Sequence, residues 1–257
     1  MAKHAVHRKK KQKNQAVSFR HAVVLCLCFT GICFGLYLWY AAFTIGQGTP
    51  AVDDDDFRPT FGPPPYRIAI DAGHGGSDPG AQGIVTEKEM TAATAEALRG
   101  WLEADPNFIP LQTRESYDAT AKPAERAAAA NALLPDLLLS IHGNSAPEGS
   151  TASGFECYPS VPGRTWHQES FYFAQLLAEG MQASGAALRG HGGVRYIYYL
   201  ENDQKQLVES THTEIREERS FTLLEDVNCP AVLAEQCFVT NEADATRFGS
   251  EEGCKKA

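Results

Sequence analysis

Four side chains suited to hydrolytic chemistry lie at or near short apolar segments of the chain. They are His74, Glu87, His142 and Glu235. Two neutral imidazoles and one carboxylate form a known ligand set for catalytic zinc, which leaves a fourth coordination position for water. A carboxylate that does not bind the metal can take the proton of that water and pass it to a leaving amine. These residue types are therefore compatible with a metal-dependent hydrolytic site.

Each of these residues also has a purely structural interpretation. His74 lies on a glycine-rich loop, where a single histidine is more often a hydrogen-bonding residue than a ligand. His142 precedes the turn-like pair Gly143-Asn144 and can simply end a strand. Glu87 can favour the positive N-terminal end of a helix. Glu235 is harder to explain structurally, because an ionised carboxylate inside the apolar run AVLAEQCF is costly unless it is paired or bound.

The segments that must position these residues alternate between strand and helix patterns. Strands are predicted at 68–70, 108–113, 136–142, 154–158, 194–199 and 230–238. Helices are predicted at 87–102, 123–134 and 170–184, with a polar, helix-compatible stretch at 204–219. This alternation predicts an α/β domain with a mostly parallel, twisted sheet of about six strands flanked by helices. The carboxyl ends of parallel strands share one edge, where ligands bind, so the four residues can converge there.

The N-terminal part of the chain has a different composition from the rest. Residues 1–20 form a basic tail, and the charge-free apolar segment that follows is long enough to cross a bilayer. We therefore predict a transmembrane anchor at 21–45, a linker rich in proline and aspartate at 46–65, and a folded domain at 66–257. The positive-inside rule places that domain outside the cytoplasm. A cleaved secretory signal peptide is the alternative, although its apolar region is usually shorter.

Charge and cysteine spacing exclude other classes of protein. The chain has 32 acidic and 23 basic residues, a formal net charge of −9, and an acidic body of this kind is unsuited to nucleic acid. Four cysteines of the folded domain show no CxxC spacing, which argues against a cysteine zinc site. They are Cys157, Cys229, Cys237 and Cys254. Their disulfide state is left open by the sequence.

Five sequence blocks occur in a recognisable order, namely IDAGHGGSDPGA, TEKEM, LLLSIHGNSAP, SGFECY and PAVLAEQCFVTNEAD. Together they resemble the type-3 catalytic domain of the zinc-dependent N-acetylmuramoyl-L-alanine amidases over about residues 66–250. The resemblance implies a Zn²⁺ cofactor bound by His74, Glu87 and His142, with Glu235 as general base and acid. It also implies hydrolysis of the amide bond between N-acetylmuramic acid and the L-alanine of the peptidoglycan stem.

Other positions within the matching blocks carry further expectations. Glu87 is preferred to Glu89 as the ligand, because Glu87 falls where the EK-type motif of the family carries it. Arg114 and Arg126 are interpreted as structural ion-pair residues. Cys237 departs from the family, which commonly has glycine near that place, and the segment 196–218 is longer than usual.

The resulting expectation is a monomeric zinc amidase that acts on peptidoglycan and is held at the cell membrane by one N-terminal helix. Its catalytic domain is expected to lie outside the cytoplasm. Two alternatives remain. One is another zinc hydrolase of the cell wall, such as a deacetylase or a peptidase, and the other is a catalytically silent wall-binding domain.

Overall fold

The computed structural model describes residues 57–201 and 204–257. At its centre is one sheet of five strands: β1 (Tyr66–Ala72), β2 (Phe108–Gln112), β3 (Leu137–Asn144), β4 (Glu156–Pro159) and β7 (Ala231–Phe238). Their order across the sheet is β2-β1-β3-β7-β4. The first four strands of that order are parallel, whereas β4 runs antiparallel to β7. Two further strands, β5 (Arg195–Tyr199) and β6 (Lys205–Glu209), form a separate antiparallel hairpin.

Helices cover both faces of this sheet. They are α1 (Glu87–Glu103), α2 (Pro123–Leu133), α3 (His167–Ala183), α4 (Thr222–Asp226), α5 (Glu242–Asp244) and α6 (Glu251–Cys254). Met90 of α1 and Phe171 of α3 belong to the core on one face, whereas Ala127 of α2 and Leu223 of α4 belong to the core on the other. The predicted α/β architecture with a mostly parallel sheet is therefore confirmed.

Two details of the predicted fold are wrong. The central sheet has five strands rather than about six, because the strand predicted at 194–199 pairs with β6 outside that sheet. The helix-compatible stretch at 204–219 contains strand β6 instead. The first three residues of β6 are exposed, which a two-stranded antiparallel hairpin at the surface tolerates.

The predicted basic tail, membrane anchor and most of the linker fall in residues 1–56, outside the described part of the chain. Among the helices that the structure describes, none has the length and apolar character needed to cross a membrane. The four cysteines Cys157, Cys229, Cys237 and Cys254 are buried free thiols, which resolves the pairing that the sequence left open.

A buried polar network supports the loop that follows β1. The carboxylate of Asp71 is completely buried, forms an ion pair with Arg126, and accepts hydrogen bonds from Thr113 Oγ1 at 2.7 Å and Ser140 Oγ at 2.8 Å. Arg126 is thus the ion-pair residue predicted from the sequence. Arg114 acts differently, since its guanidinium donates to the backbone carbonyls at the start of the same loop, including that of Ala72.

Replacing Arg126 with methionine is expected to destabilise the fold by about 3–5 kcal/mol, because the charge of Asp71 would then be buried without its cation. Urea unfolding of the variant measures this loss. Arg99→Met is the matched control, since Arg99 pairs with Glu96 and Glu103 near the surface, where solvent screens ion pairs and leaves them little effect on stability. Equal losses in the two variants would contradict the importance of the buried pair.

Candidate active site

The strand register places two of the four predicted residues side by side. His142 of β3 is the register partner of Glu235 of β7, and Glu156 of β4 pairs with Glu235 from the other side. Directly paired residues project from the same face of a sheet. Residues an even number of positions apart on a strand project from the same face. Leu138 lies four residues before His142 and Leu233 two residues before Glu235, and both leucines belong to the core beneath α2 and α4. The carboxyl ends of β3 and β7 therefore present their functional side chains on that face.

Close backbone approach explains the glycines of the loop that carries His74. A Cβ atom at Gly73 would lie 2.5 Å from the His142 ring, and one at Gly80 would lie 2.6 Å from both Glu87 Oε2 and the His74 ring. Neither contact is possible for a larger residue without displacement of the ring or the carboxylate. His74 itself has a φ of 60°, in the left-handed region that few non-glycine residues occupy. The loop is therefore shaped to bring His74 against Glu87 and His142.

Glu87 joins the two histidines into one cluster. Its Oε1 lies 3.0 Å from His74 Nε2 and 3.0 Å from His142 Nδ1, and the three candidate ligand atoms all lie within 4.8 Å of one another. Ligand atoms of a tetrahedral zinc site are about 3.3 Å apart, given bonds of about 2.0 Å. Two imidazoles and a carboxylate at these separations thus fit a zinc ion. Backbone amides of Gly143 and Ala81 donate to the two Glu87 oxygens and fix its orientation.

The electrostatics of the cluster also favour a cation. Burial acts to raise the pKa of Glu87, but hydrogen bonds from His142 and His74 outweigh it and keep that pKa well below its ordinary value. Burial acts to lower the pKa of His74, and its contacts with Glu87 and Asp78 outweigh that effect, so the pKa is raised. The contact between Glu87 and His74 contributes to both shifts, so the cluster favours a negative carboxylate beside positive charge.

Asp78 contacts a candidate ligand and was not predicted from the sequence, although it lies only four residues after His74. Its Oδ2 is 2.9 Å from His74 Nδ1, an arrangement that leaves Nε2 directed at Glu87. A carboxylate bound to the far nitrogen of a ligand histidine fixes the tautomer and the ring orientation.

Asp78→Ala is expected to weaken zinc binding by about 10- to 100-fold, because His74 would lose that support. Competition of the purified protein with a chromogenic chelator gives the affinity. Ser77→Ala in the same loop serves as the control, since Ser77 is exposed. The zinc affinity of this variant is expected to match that of the unmodified chain. An unchanged affinity in Asp78→Ala would remove Asp78 from the metal-binding arrangement.

Glu235 lies beside the cluster but is not one of its three members. Its Oε2 is shielded from solvent and has no hydrogen-bond partner among the described residues. Burial, together with the nearby charges of Glu87 and Glu156, raises the pKa of Glu235 to about 8. A carboxyl group with a pKa near neutrality can both accept and donate a proton under working conditions.

All four predicted residues line a single cavity of about 360 Å³. The hairpin and the segment that follows it supply much of the remaining wall, including Tyr199, Lys205 and Phe221. The sequence analysis found none of these three, because nothing in a single chain indicates that a distant hairpin will face a strand end. Glu156 was missed as well, although a carboxylate within the block SGFECY was a visible signal.

Fold and site together define an α/β protein with the donor set of a metal-dependent hydrolase at the carboxyl edge of its sheet. The sequence model of one family, described as N-acetylmuramoyl-L-alanine amidase, matches residues 68–257. The chain therefore belongs to the N-acetylmuramoyl-L-alanine amidase family, as the resemblance of its five blocks predicted.

Two of the similar sequences come from Bacillus subtilis. An uncharacterized protein of Bacillus subtilis, YqiI, is 34% identical over 193 residues, which cover 74% of this chain and 78% of that protein. The sporulation-specific N-acetylmuramoyl-L-alanine amidase of the same organism is 31% identical over 183 residues, which cover 71% of this chain. The match spans only 60% of the length of that amidase.

Solved structures share the fold. The N-acetylmuramoyl-L-alanine amidase of Clostridium difficile 630 superposes with a TM-score of 0.59 at 25% identity, covering 74% of this chain and 89% of that one. The catalytic domain of CwlV, an N-acetylmuramoyl-L-alanine amidase of Bacillus (Paenibacillus) polymyxa var. colistinus, superposes with a TM-score of 0.57 at 26% identity. The match covers 74% of this chain and 90% of that one.

Proposed function

We propose that the chain is a zinc-dependent enzyme that hydrolyses the amide bond between N-acetylmuramic acid and L-alanine in peptidoglycan. The observation that supports this most strongly is the meeting of His74, Glu87 and His142 around one small volume, with Glu235 in the same cavity. Membership of the amidase family supports the choice of bond and of substrate. The similarly named relatives support the same choice.

Each residue has a role that follows from its position. His74, Glu87 and His142 hold the metal, and zinc supplies Lewis-acid activation of water and of the scissile carbonyl when it is bound. Glu235 removes the proton from the attacking water and delivers it to the departing L-alanine nitrogen. Its raised pKa suits both steps, since the carboxyl group must be ionised for the first and protonated for the second. Asp78 orients His74 throughout.

The test is digestion of purified peptidoglycan by the full chain, with added zinc and after treatment with a chelator. We expect released stem peptides with a free N-terminal L-alanine and an intact glycan, detected by mass spectrometry, and no released stem peptides after chelation. Activity that survives complete removal of the metal would contradict the proposed zinc chemistry.

The same digest separates the alternative activities. A deacetylase would release acetate and leave the stem peptides attached, and a peptidase would cut within the stem while the bond to N-acetylmuramic acid stays intact. A silent wall-binding domain would release nothing. The presence of a protonatable glutamate next to a complete ligand set argues against the silent domain.

We also propose that the enzyme acts as a monomer held at the outer side of the cell membrane by its predicted N-terminal anchor. The membrane anchor and its orientation are supported by the sequence of residues 1–45 alone. Fractionation of cells that produce the tagged chain, with protease added from outside, tests it. A tagged domain found in the soluble fraction would contradict it.

A further inference from the structure

Two basic side chains line the cavity of the candidate active site, and they differ in one respect. Arg126 is buried and forms an ion pair with Asp71. Lys205 is exposed, and no carboxylate among the described residues lies within ion-pair distance of its Nζ. Its described contact is instead with the ring of Tyr199, whose centroid is 5.7 Å from Nζ. A cation–π contact of this kind leaves the N–H donors of the ammonium available to a ligand.

The hairpin that carries Lys205 is tied to the central sheet. Arg195 of β5 donates to Glu156 of β4 at 2.9 Å and forms an ion pair with Glu209 of β6 at 2.5 Å. Glu156 is buried and is the register partner of Glu235. Lys205 therefore lies at one end of β6, and the other end of β6 is joined through Arg195 to Glu156, next to Glu235.

The substrate has an uneven distribution of charge on the two sides of the bond to be cut. The sugar side offers hydroxyl and acetamido groups, which are neutral. The peptide side is the departing group, and the second residue of a stem peptide carries an α-carboxylate that is either free or amidated. Among the described residues, Lys205 has no carboxylate within ion-pair distance, and its charge acts only through space on Glu235 of the same cavity. An ammonium in this position gains more from a carboxylate of the substrate than from a neutral group.

Building on the proposed function, we propose that Lys205 is a specificity residue that binds the α-carboxylate of the second stem residue. The enzyme accordingly distinguishes stems with a free α-carboxylate from stems with an α-carboxamide. Because Lys205 is exposed, the pair it forms is partly screened by solvent. The preference in kcat/KM is expected to be about 5- to 20-fold at low ionic strength and to shrink as salt is added.

The experiment uses the zinc-loaded full chain and two N-acetylmuramoyl tripeptides that differ only in this group. We expect Lys205→Met to reduce the ratio of the two kcat/KM values to about one, and Lys205→Arg to preserve a ratio above one. Lys256→Met removes the same charge at a distant surface site, where Lys256 pairs with Glu252, and is expected to keep the ratio of the unmodified chain.

A second measurement separates this proposal from the assigned reaction. Isothermal titration of the two free tripeptides into the full chain and into Lys205→Met reports binding without cleavage. If neither muramoyl tripeptide is cleaved, the proposed function fails, and a carboxylate preference in binding that depends on Lys205 still upholds the present inference. Equal binding of the two tripeptides in that case overturns it.

When cleavage does occur, the ratio of the two kcat/KM values decides whether Lys205 is the specificity residue. A ratio of one in the unmodified chain overturns the inference. So does a ratio that survives in Lys205→Met, even if both substrates are cleaved more slowly, because Lys205 would then act through Glu235 rather than on the substrate.

Discussion

Glu235→Gln is expected to lower kcat by about 10²- to 10⁴-fold, the usual contribution of a general base and acid. Glutamine has nearly the same shape but cannot accept the proton of the attacking water. The zinc content should stay the same, because the three candidate ligands do not include Glu235. Steady-state rates on a muramoyl tripeptide, together with metal analysis of the same sample, measure both effects. Full activity in the variant would remove Glu235 from its proposed role.

A stability measurement on the same variant gives an independent check. Burial raises the pKa of Glu235 from 4.5 to about 8 in the folded protein, so the folded state retains a proton that the unfolded state releases. The unmodified, metal-free protein should therefore lose stability as pH rises from 4.5 towards 8, relative to Glu235→Gln. We expect the variant to be more stable by about 1–3 kcal/mol at pH 7.5, and by much less at pH 5. A difference independent of pH in urea unfolding would contradict the burial of a protonated carboxyl group.

Glu87→Ala is expected to weaken zinc binding by well over 100-fold, since even residues that only support a ligand change affinity by about 10- to 100-fold. Glu87 Oε1 is the atom that lies 3.0 Å from both His74 and His142. Its removal takes away one ligand and the contact that aligns the other two. Zinc bound per chain after dialysis and the rate of peptidoglycan digestion should fall together.

Glu89→Ala is the matched control for this prediction. Glu89 lies in the same first turn of α1, two residues further on, but its side chain is exposed. The variant should retain zinc and activity. If Glu89→Ala lost the metal while Glu87→Ala retained it, the choice between these two neighbouring glutamates would be wrong.

The sequence by itself determined the parts of this protein that depend on local pattern. A short apolar run such as that of β3 is typical of a strand covered on both faces, and strands that alternate with helices favour a parallel sheet. Parallel strands end at one edge, so a histidine after β1 and another at the end of β3 were expected to be able to converge there. That is why His74 and His142 were identified before any contact between them was known.

The tertiary structure alone decided what depends on pairing between distant segments. The polar stretch containing β6 has no periodicity that separates a strand from a helix, and only its partner β5 makes it a strand. Its residue Lys205 reaches the cavity through that pairing. The raised pKa of Glu235 likewise comes from burial and from the charges of Glu87 and Glu156. Both are properties of side chains that only folding brings together, and a pattern along one strand contains no information about them.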